Sequence, residues 1–307
     1  MTTLDSDGAD LDVACHLNVL LAAASSDLLP AALGALVEAG YRRVVLPPLD
    51  PQATDAAGLA NLFAAHDVHP ITIAGQAPGA DVSSADPDER AAGAAMLRAA
   101  LDLTVALRGD QMNGVPYGVF GHPARPTDPA AFERAAIEVG RIADEAHERG
   151  VMMTFEVLNR YETAVVNTAA QAMEFVALSG SEHLRIHLDT FHMAVEEADL
   201  AAAITAAAPR LGYLELGQSG RGMLSGGAVD IEALVRHAFD TGWTGRLGVE
   251  AFSRAVLSPG ASDMLAIWRQ PYVDGVGVAR DAMRVIRRGF ASSVEGRRAA
   301  RLSRVGG

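Results

Sequence analysis

Four acidic residues each interrupt an apolar run: Glu156 in VMMTFEVL, Asp189 in LRIHLDT, Glu215 in LGYLELG and Glu250 in GRLGVEAF. Runs of this kind predict buried parallel strands, and each acid stands near the C-terminal end, where a strand leaves its sheet. An unpaired carboxylate is costly to bury, so four converging at one level point to a shared cation. Oxygen donors suit a hard divalent ion, Mg²⁺ or Mn²⁺. A single strand-end acid would read as a helix cap or a loop ion pair. Four on consecutive strands read as the site of a metal-dependent enzyme.

Other polar residues carry weaker signals. His187 lies two positions before Asp189, so strand alternation puts it on the same inward face, one layer deeper. It reads either as a partner to a metal-bound carboxylate or as a hydrogen-bonded core histidine. His16, ending the first strand, could line a barrel mouth but is expected to be structural. His66, His69, His122, His147, His183 and His237 are expected on the surface or at caps. Tyr117 and Phe120 would form either an apolar ligand wall or ordinary loop packing. Arg254, just after Glu250, would screen that acid, touch a ligand or sit exposed.

The elements that must position these groups follow from the hydrophobic pattern. Strands are predicted at 11–16, 41–47, 69–75, 110–115, 151–158, 184–190, 211–217 and 245–252, separated by Ala- and Leu-rich helical segments. Several helices stop at a glycine just before the next strand, as at Gly40, Gly150 and Gly242. Eight strand–helix units predict an α/β fold, a single (β/α)8 TIM barrel with its active site at the C-terminal face. A doubly wound sheet is the alternative, but no GxGxxG follows the first strand. The expected boundaries are a flexible N-terminus at 1–10, the barrel at 11–290 and a basic C-terminal tail at 291–307. The stretch FSRAVLSPGASDMLAIWRQPYVDG, before the last helix, predicts a long loop over the barrel mouth.

Composition excludes several function classes. The 307 residues are 50% hydrophobic, enough for a large core, and carry a formal net charge of −13. That balance argues against a nucleic-acid surface and for a small-molecule partner. All 25 basic residues are arginine, which rules out a Schiff-base lysine and a P-loop. The one cysteine, Cys15, precludes an intrachain disulfide or thiolate cluster and is expected in the core. The polar, acidic N-terminus is no signal peptide and no apolar stretch is long enough for a membrane helix, so a cytoplasmic protein is expected.

The longest local motif is FEVLNRYETAVVNTAAQAMEFV, followed by LDTFHM. Here the chain resembles the ketose 3-epimerases (tagatose and psicose, or allulose, epimerases) of the xylose-isomerase-like TIM-barrel superfamily. Their pattern is EVLNRFE…NT, LDTFHMN, HxGExNR and MEPF, and the correspondence runs over the fifth to eighth strands. The resemblance implies that Glu156 and Glu250 bind metal and exchange protons with the sugar, and that Asp189 is a metal ligand. It implies that Glu162, His192 and Arg221 bind substrate, and that the protein pairs as a homodimer or homotetramer. The departures are Glu215 for a metal-binding histidine, Gln218 for a glutamate, Gly220 for an asparagine and Ala251 for a proline. A carboxylate at position 215 would harden the site toward Mg²⁺ or Mn²⁺. Alternatively, Glu215 stands off the metal, hydrogen-bonded to substrate.

The expected chemistry is proton exchange beside a ketose carbonyl. Two carboxylates on opposite faces of a hydroxy-ketone remove and return the proton, and a divalent ion stabilises the enediolate between the steps. His192 would donate to a developing oxyanion and Arg221 would orient the far hydroxyls. The same site could serve a keto-sugar or inosose dehydratase, or belong to a non-catalytic sugar-binding barrel. A phosphodiesterase of the same superfamily would need a histidine-rich zinc cluster and a basic groove.

Overall fold

Each strand pairs in parallel with the next in sequence, and the eighth returns to the first, so the sheet closes. The computed structural model describes residues 11–305. The barrel unit runs β1 (Val13–His16), α1 (Leu29–Ala39), β2 (Arg43–Val45), α2 (Ala56–Ala65), β3 (His69–Gln76), α3 (Pro87–Ala106), β4 (Gln111–Val119) and α4 (Pro129–Glu148). It continues with β5 (Met152–Val157), α5 (Ala169–Ser179), β6 (Arg185–Asp189), α6 (Thr190–Glu196), α7 (Leu200–Ala207), β7 (Leu211–Gly217), α8 (Ile231–Asp240) and β8 (Arg246–Glu250). Closure through Val13↔Leu247, Ala14↔Gly248 and Cys15↔Val249 excludes the open, doubly wound alternative. Gly40, Gly150 and Gly242 all take positive φ just beyond α1, α4 and α8, as the helix-stop reading requires.

After β8 come α9 (Pro259–Met264), α10 (Gly275–Ser292) and α11 (Val294–Val305). The segment read as a basic tail therefore includes a helix, which packs on α10 and α8. The expected flexible N-terminus lies outside the described residues. The long loop after β8 holds α9 and its own small core of Phe252, Leu257 and Ile267. Among the described residues, no helix is long and apolar enough to cross a membrane.

Strand alternation divides the core in two. Outward residues such as Val13, Cys15, Val44, Phe155, Leu214 and Val249 join the large cluster under the helices. Cys15 is fully buried there, as expected. The barrel interior holds only a small apolar layer of Ala14, Val45, Ile71 and Tyr213. Below it, at the N-terminal end, Arg43 and Arg246 each bond to both Asp12 and Asp110. Arg246 also reaches Gln111, which donates to Asn113, and Thr154 completes the layer by donating to the same Asn113 oxygen. This polar floor leaves the C-terminal mouth as the place for function.

The acidic composition has a local explanation. Asp55, Asp86, Asp128, Asp189, Asp199, Asp230 and Asp274 each cap the N-terminus of a helix through the side chain. A cap of this kind contributes about 1 kcal/mol. Thr168 and Gln171 add a reciprocal capping box on α5.

Candidate active site

The mouth of the barrel gathers the four acids that the strand pattern singled out. In register, Glu156 pairs with His187, Asp189 with Glu215, and Gly217 with Glu250, so β5 to β8 form one continuous wall. The acids differ in depth. Asp189 and Glu215 are fully buried, whereas the Glu156 side chain keeps 15% exposure and that of Glu250 keeps 9%.

Asp189 does two jobs. Its Oδ1 accepts from the Phe191 N–H at 2.6 Å and so starts α6, while Oδ2 faces the site. That turn brings His192 under the mouth, with Nε2 3.4 Å from Glu156 Oε1 and 3.7 Å from Asp189 Oδ2. The tautomer is fixed: His192 Nδ1 accepts from the Asn159 N–H at 3.2 Å, so Nε2 carries the proton. Asn159 also donates to Glu162 Oε1 at 2.9 Å, tying Glu162 to the same corner.

Arg221 comes from the loop after β7, in a left-handed backbone conformation with φ of 55°. Its guanidinium lies 3.5 Å from the centroid of the Phe191 ring, touches Glu250 Oε2 and stands 3.3 Å from Asp189 Oδ2. Gly217 makes room for this. A Cβ there would come within 2.8 Å of Asp189 Oδ1 and 3.1 Å of Arg221 Nη1.

Glu215 sits in a histidine clamp. His16 Nε2 lies 2.9 Å from Oε1, and His187 Nε2 lies 3.1 Å from Oε2. His187 thus faces a carboxylate of the site. His16 turns its other nitrogen, Nδ1, toward Glu250 Oε1 at 3.6 Å, so it belongs to the site rather than merely ending a strand. Its strand-end position allowed it to line the mouth, and the geometry favours that reading over the expected structural one.

Burial and charge pull these groups in different directions. Burial opposes ionisation of Glu215, yet His16 and His187 hold it well below the usual carboxylate range. Burial would lower His16, but Glu215 and Glu250 push it up to about 9. Burial pushes Glu250 up to about 8, against the pull of Arg221 and His16. Glu156 goes the other way: burial resists, but His187 and His192 draw it below its ordinary value.

The donor set fits a divalent cation. Nε2 of His16, both ring nitrogens of His187 and Oε2 of Glu215 are buried without an aligned hydrogen bond. The short imidazole–carboxylate approaches are therefore charge contacts with poor hydrogen-bond geometry. Three overlapping sets each bring ligand atoms within 4.8 Å of one another: His16–Glu215–Glu250, Glu156–Asp189–His192 and Glu156–His187–Glu215.

The aromatic residues Tyr117 and Phe120 resolve into packing, Phe120 lying partly buried against the main core. Tyr117 is buried within β4, donates to the Glu156 carbonyl at 2.7 Å and packs on Phe155 and Phe175. The loop after β8 instead lines a cavity of about 460 Å³ with Ile267 and Trp268, together with Tyr161, Glu162 and Arg221. Arg254 braces that loop by donating to Asp263 at 2.7 Å and to the Ile267 carbonyl at 3.2 Å.

A closed parallel barrel with an acidic, imidazole-rich C-terminal mouth is the class of protein these observations define. A family model for the xylose isomerase-like TIM barrel matches residues 33–288. The chain is 35% identical over 250 residues to a ketose 3-epimerase of Arthrobacter globiformis, covering 81% of this chain and 86% of that one. It is 32% identical over 281 residues to an L-ribulose 3-epimerase of Mesorhizobium japonicum, covering 92% and 95%. A crystal structure of a D-allulose 3-epimerase from Methylomonas sp. in complex with D-allulose superposes with a TM-score of 0.85 at 31% identity, over 90% and 96% of the two chains. The chain belongs to the xylose isomerase-like TIM barrel family and, within it, to the ketose 3-epimerases, which are carbohydrate isomerases.

Proposed function

We propose that this protein is a divalent-metal-dependent epimerase of small free ketoses, of the kind its relatives' names record for L-ribulose and D-allulose. The observation that carries the reading is the pair Glu156 and Glu250, two carboxylates on β5 and β8 at one end of the barrel, with His192 beside the first and Arg221 beside the second. Glu156, ionised, removes the proton from the carbon beside the ketose carbonyl. The electron pair moves onto the carbonyl oxygen to give an enediolate, and Glu250 returns a proton from the other face.

Glu156, Asp189 and Glu250 would hold the ion, which supplies electrophilic stabilisation of the enediolate. Mn²⁺ or Mg²⁺ suits these oxygen donors. His192 presents Nε2–H to the developing oxyanion, because Asn159 fixes its tautomer. Arg221 and Glu162 line the adjoining cavity and bind the far hydroxyls. The Phe191 and Phe252 rings flank the guanidinium and keep water from the ion pairs around it.

Incubating the Mn²⁺-loaded protein with ketopentoses and ketohexoses in D₂O tests this directly. Deuterium should enter the carbon beside the carbonyl with inversion and without loss of water. A protein that binds Mn²⁺ but exchanges no ketose proton would sink the proposal, and loss of water would identify an elimination instead.

A further inference from the structure

We infer that His16 on β1 is a metal ligand through Nδ1, and that Glu215 holds His16 in place for that role instead of binding the ion itself. The inference rests on the metal-dependent reading above and deepens it.

Each Glu215 oxygen faces an imidazole. Oε1 lies 2.9 Å from His16 Nε2 and Oε2 lies 3.1 Å from His187 Nε2, both as charge contacts, and the residue is fully buried. The pocket is shaped to the carboxylate: Gly248 stands opposite it in register, and a Cβ there would come within 2.7 Å of Glu215 Oε1.

His16 has the complementary form. Its Nε2 faces Glu215 Oε1 at 2.9 Å, and its Nδ1 lies 3.6 Å from Glu250 Oε1. That separation is too long for a hydrogen bond. It is near the roughly 3.0–3.5 Å expected between two donors bound to one ion at about 2.1 Å. Metal-binding histidines almost always give their second N–H to a carboxylate or carbonyl, which fixes the tautomer and the ring orientation. His16 and Glu215 stand at the distance of such a pair, as a charge contact. The ring is 5% exposed and meets Phe252 edge to face at 6.4 Å, so it is held against rotation.

The other imidazoles are less suited. His192 carries its proton on Nε2, the nitrogen that faces Glu156 and Asp189, so no lone pair points at the site. His187 lies two residues below Asp189 on β6, with Nε2 on Glu215. Topology explains how an imidazole can leave β7 without leaving the site. β8 has β7 on one side and β1 on the other, so a histidine on either neighbour borders Glu250. Within the close set His16–Glu215–Glu250, the donors are then His16 and Glu250, with the carboxylate on β7 acting through the histidine.

Pulsed EPR of the Mn²⁺-loaded protein reads nitrogen bound directly to the ion. Wild type should show it, and His16→Asn and His16→Gln should each lose it, with folding checked by circular dichroism; having both keeps the test decisive if one misfolds. Glu215→Gln should keep the nitrogen coupling while Mn²⁺ affinity, by calorimetry, falls about 10- to 100-fold. Wild type that binds Mn²⁺ without nitrogen coupling, or coupling that survives loss of His16, overturns the inference and leaves the epimerase reading standing. Unchanged affinity in Glu215→Gln overturns the anchoring role. A wild-type chain that takes up no Mn²⁺ at saturation overturns both.

Discussion

At the floor of the barrel, Arg43 and Arg246 meet Asp12 and Asp110 in a closed square in which every charge has an aligned partner. At the mouth, Glu156, Asp189, Glu215 and Glu250 meet His16, His187, His192 and Arg221, and three buried imidazole nitrogens and one carboxylate oxygen there lack an aligned bond. Both ends gather opposite charges in one small volume. The four charges of the floor are satisfied and add rigidity, with only the Asn113 side-chain nitrogen beside them lacking a partner among the described residues. The mouth bears unmet bonding capacity that a cation and a polyhydroxy ketone can meet, which is how a binding site differs from an ion-pair network.

The contrast can be broken first at the mouth. Glu156→Gln removes the base while conserving shape, and should lower the rate of deuterium exchange by about 10³- to 10⁴-fold. The urea midpoint should stay near wild type; a variant that keeps its exchange rate removes Glu156 from the mechanism.

The mirror experiment is at the floor. Arg43→Ala strips one side of the square and should cost about 2–4 kcal/mol in urea unfolding, at the low end for a broken buried pair because Asp12 and Asp110 are partly exposed. kcat at a permissive temperature should be unchanged. A loss of activity without a loss of stability would show that the two ends are coupled.

A milder test uses pH on the metal-free protein. Glu250, raised to about 8, and His16, raised to about 9, both hold protons in the folded chain that the unfolded chain has released. Stability conferred by those protons is therefore lost as pH rises from about 5 to 9. Asp110 is depressed: burial resists, but Arg43 and Arg246 prevail, so its contribution persists across that range and fails only in acid. The urea midpoint should decline from pH 5 to 9, and a flat profile would contradict the mouth's assignment. The smallest effect belongs to Trp268, which is 67% exposed on the cavity rim. Trp268→Ala should raise KM a few-fold, under about 1 kcal/mol, with kcat unchanged. A falling kcat would place the ring at the reacting end of the sugar.

Much of the fold was legible because parallel strands buried on both faces read as apolar runs, and a lone acid at the end of such a run stands out. Glu156, Asp189 and Glu250 were found that way, and the EVLNRYE and LDTFHM motifs brought in Glu162 and His192. Asn159 was passed over inside the same motif, because its role is to hold His192 and Glu162, and only contact geometry shows that. The floor was invisible for a different reason. Arg43, Asp110 and Arg246 begin or precede strands, where charges look like ordinary solvated ends until closure brings them together.

The sequence by itself determined the alternation of strands and helices, the acidic wall on β5 to β8 and the chemistry that such carboxylates can support, since these depend on local periodicity and residue type. Only the tertiary structure decided what surrounds Glu215. Barrel closure sets the first strand beside the eighth, and that carries His16 to Glu215 and Glu250 across almost the whole length of the chain. Residue spacing encodes neighbours along a helix or strand; contact between the two ends of the sheet exists only once the barrel has closed.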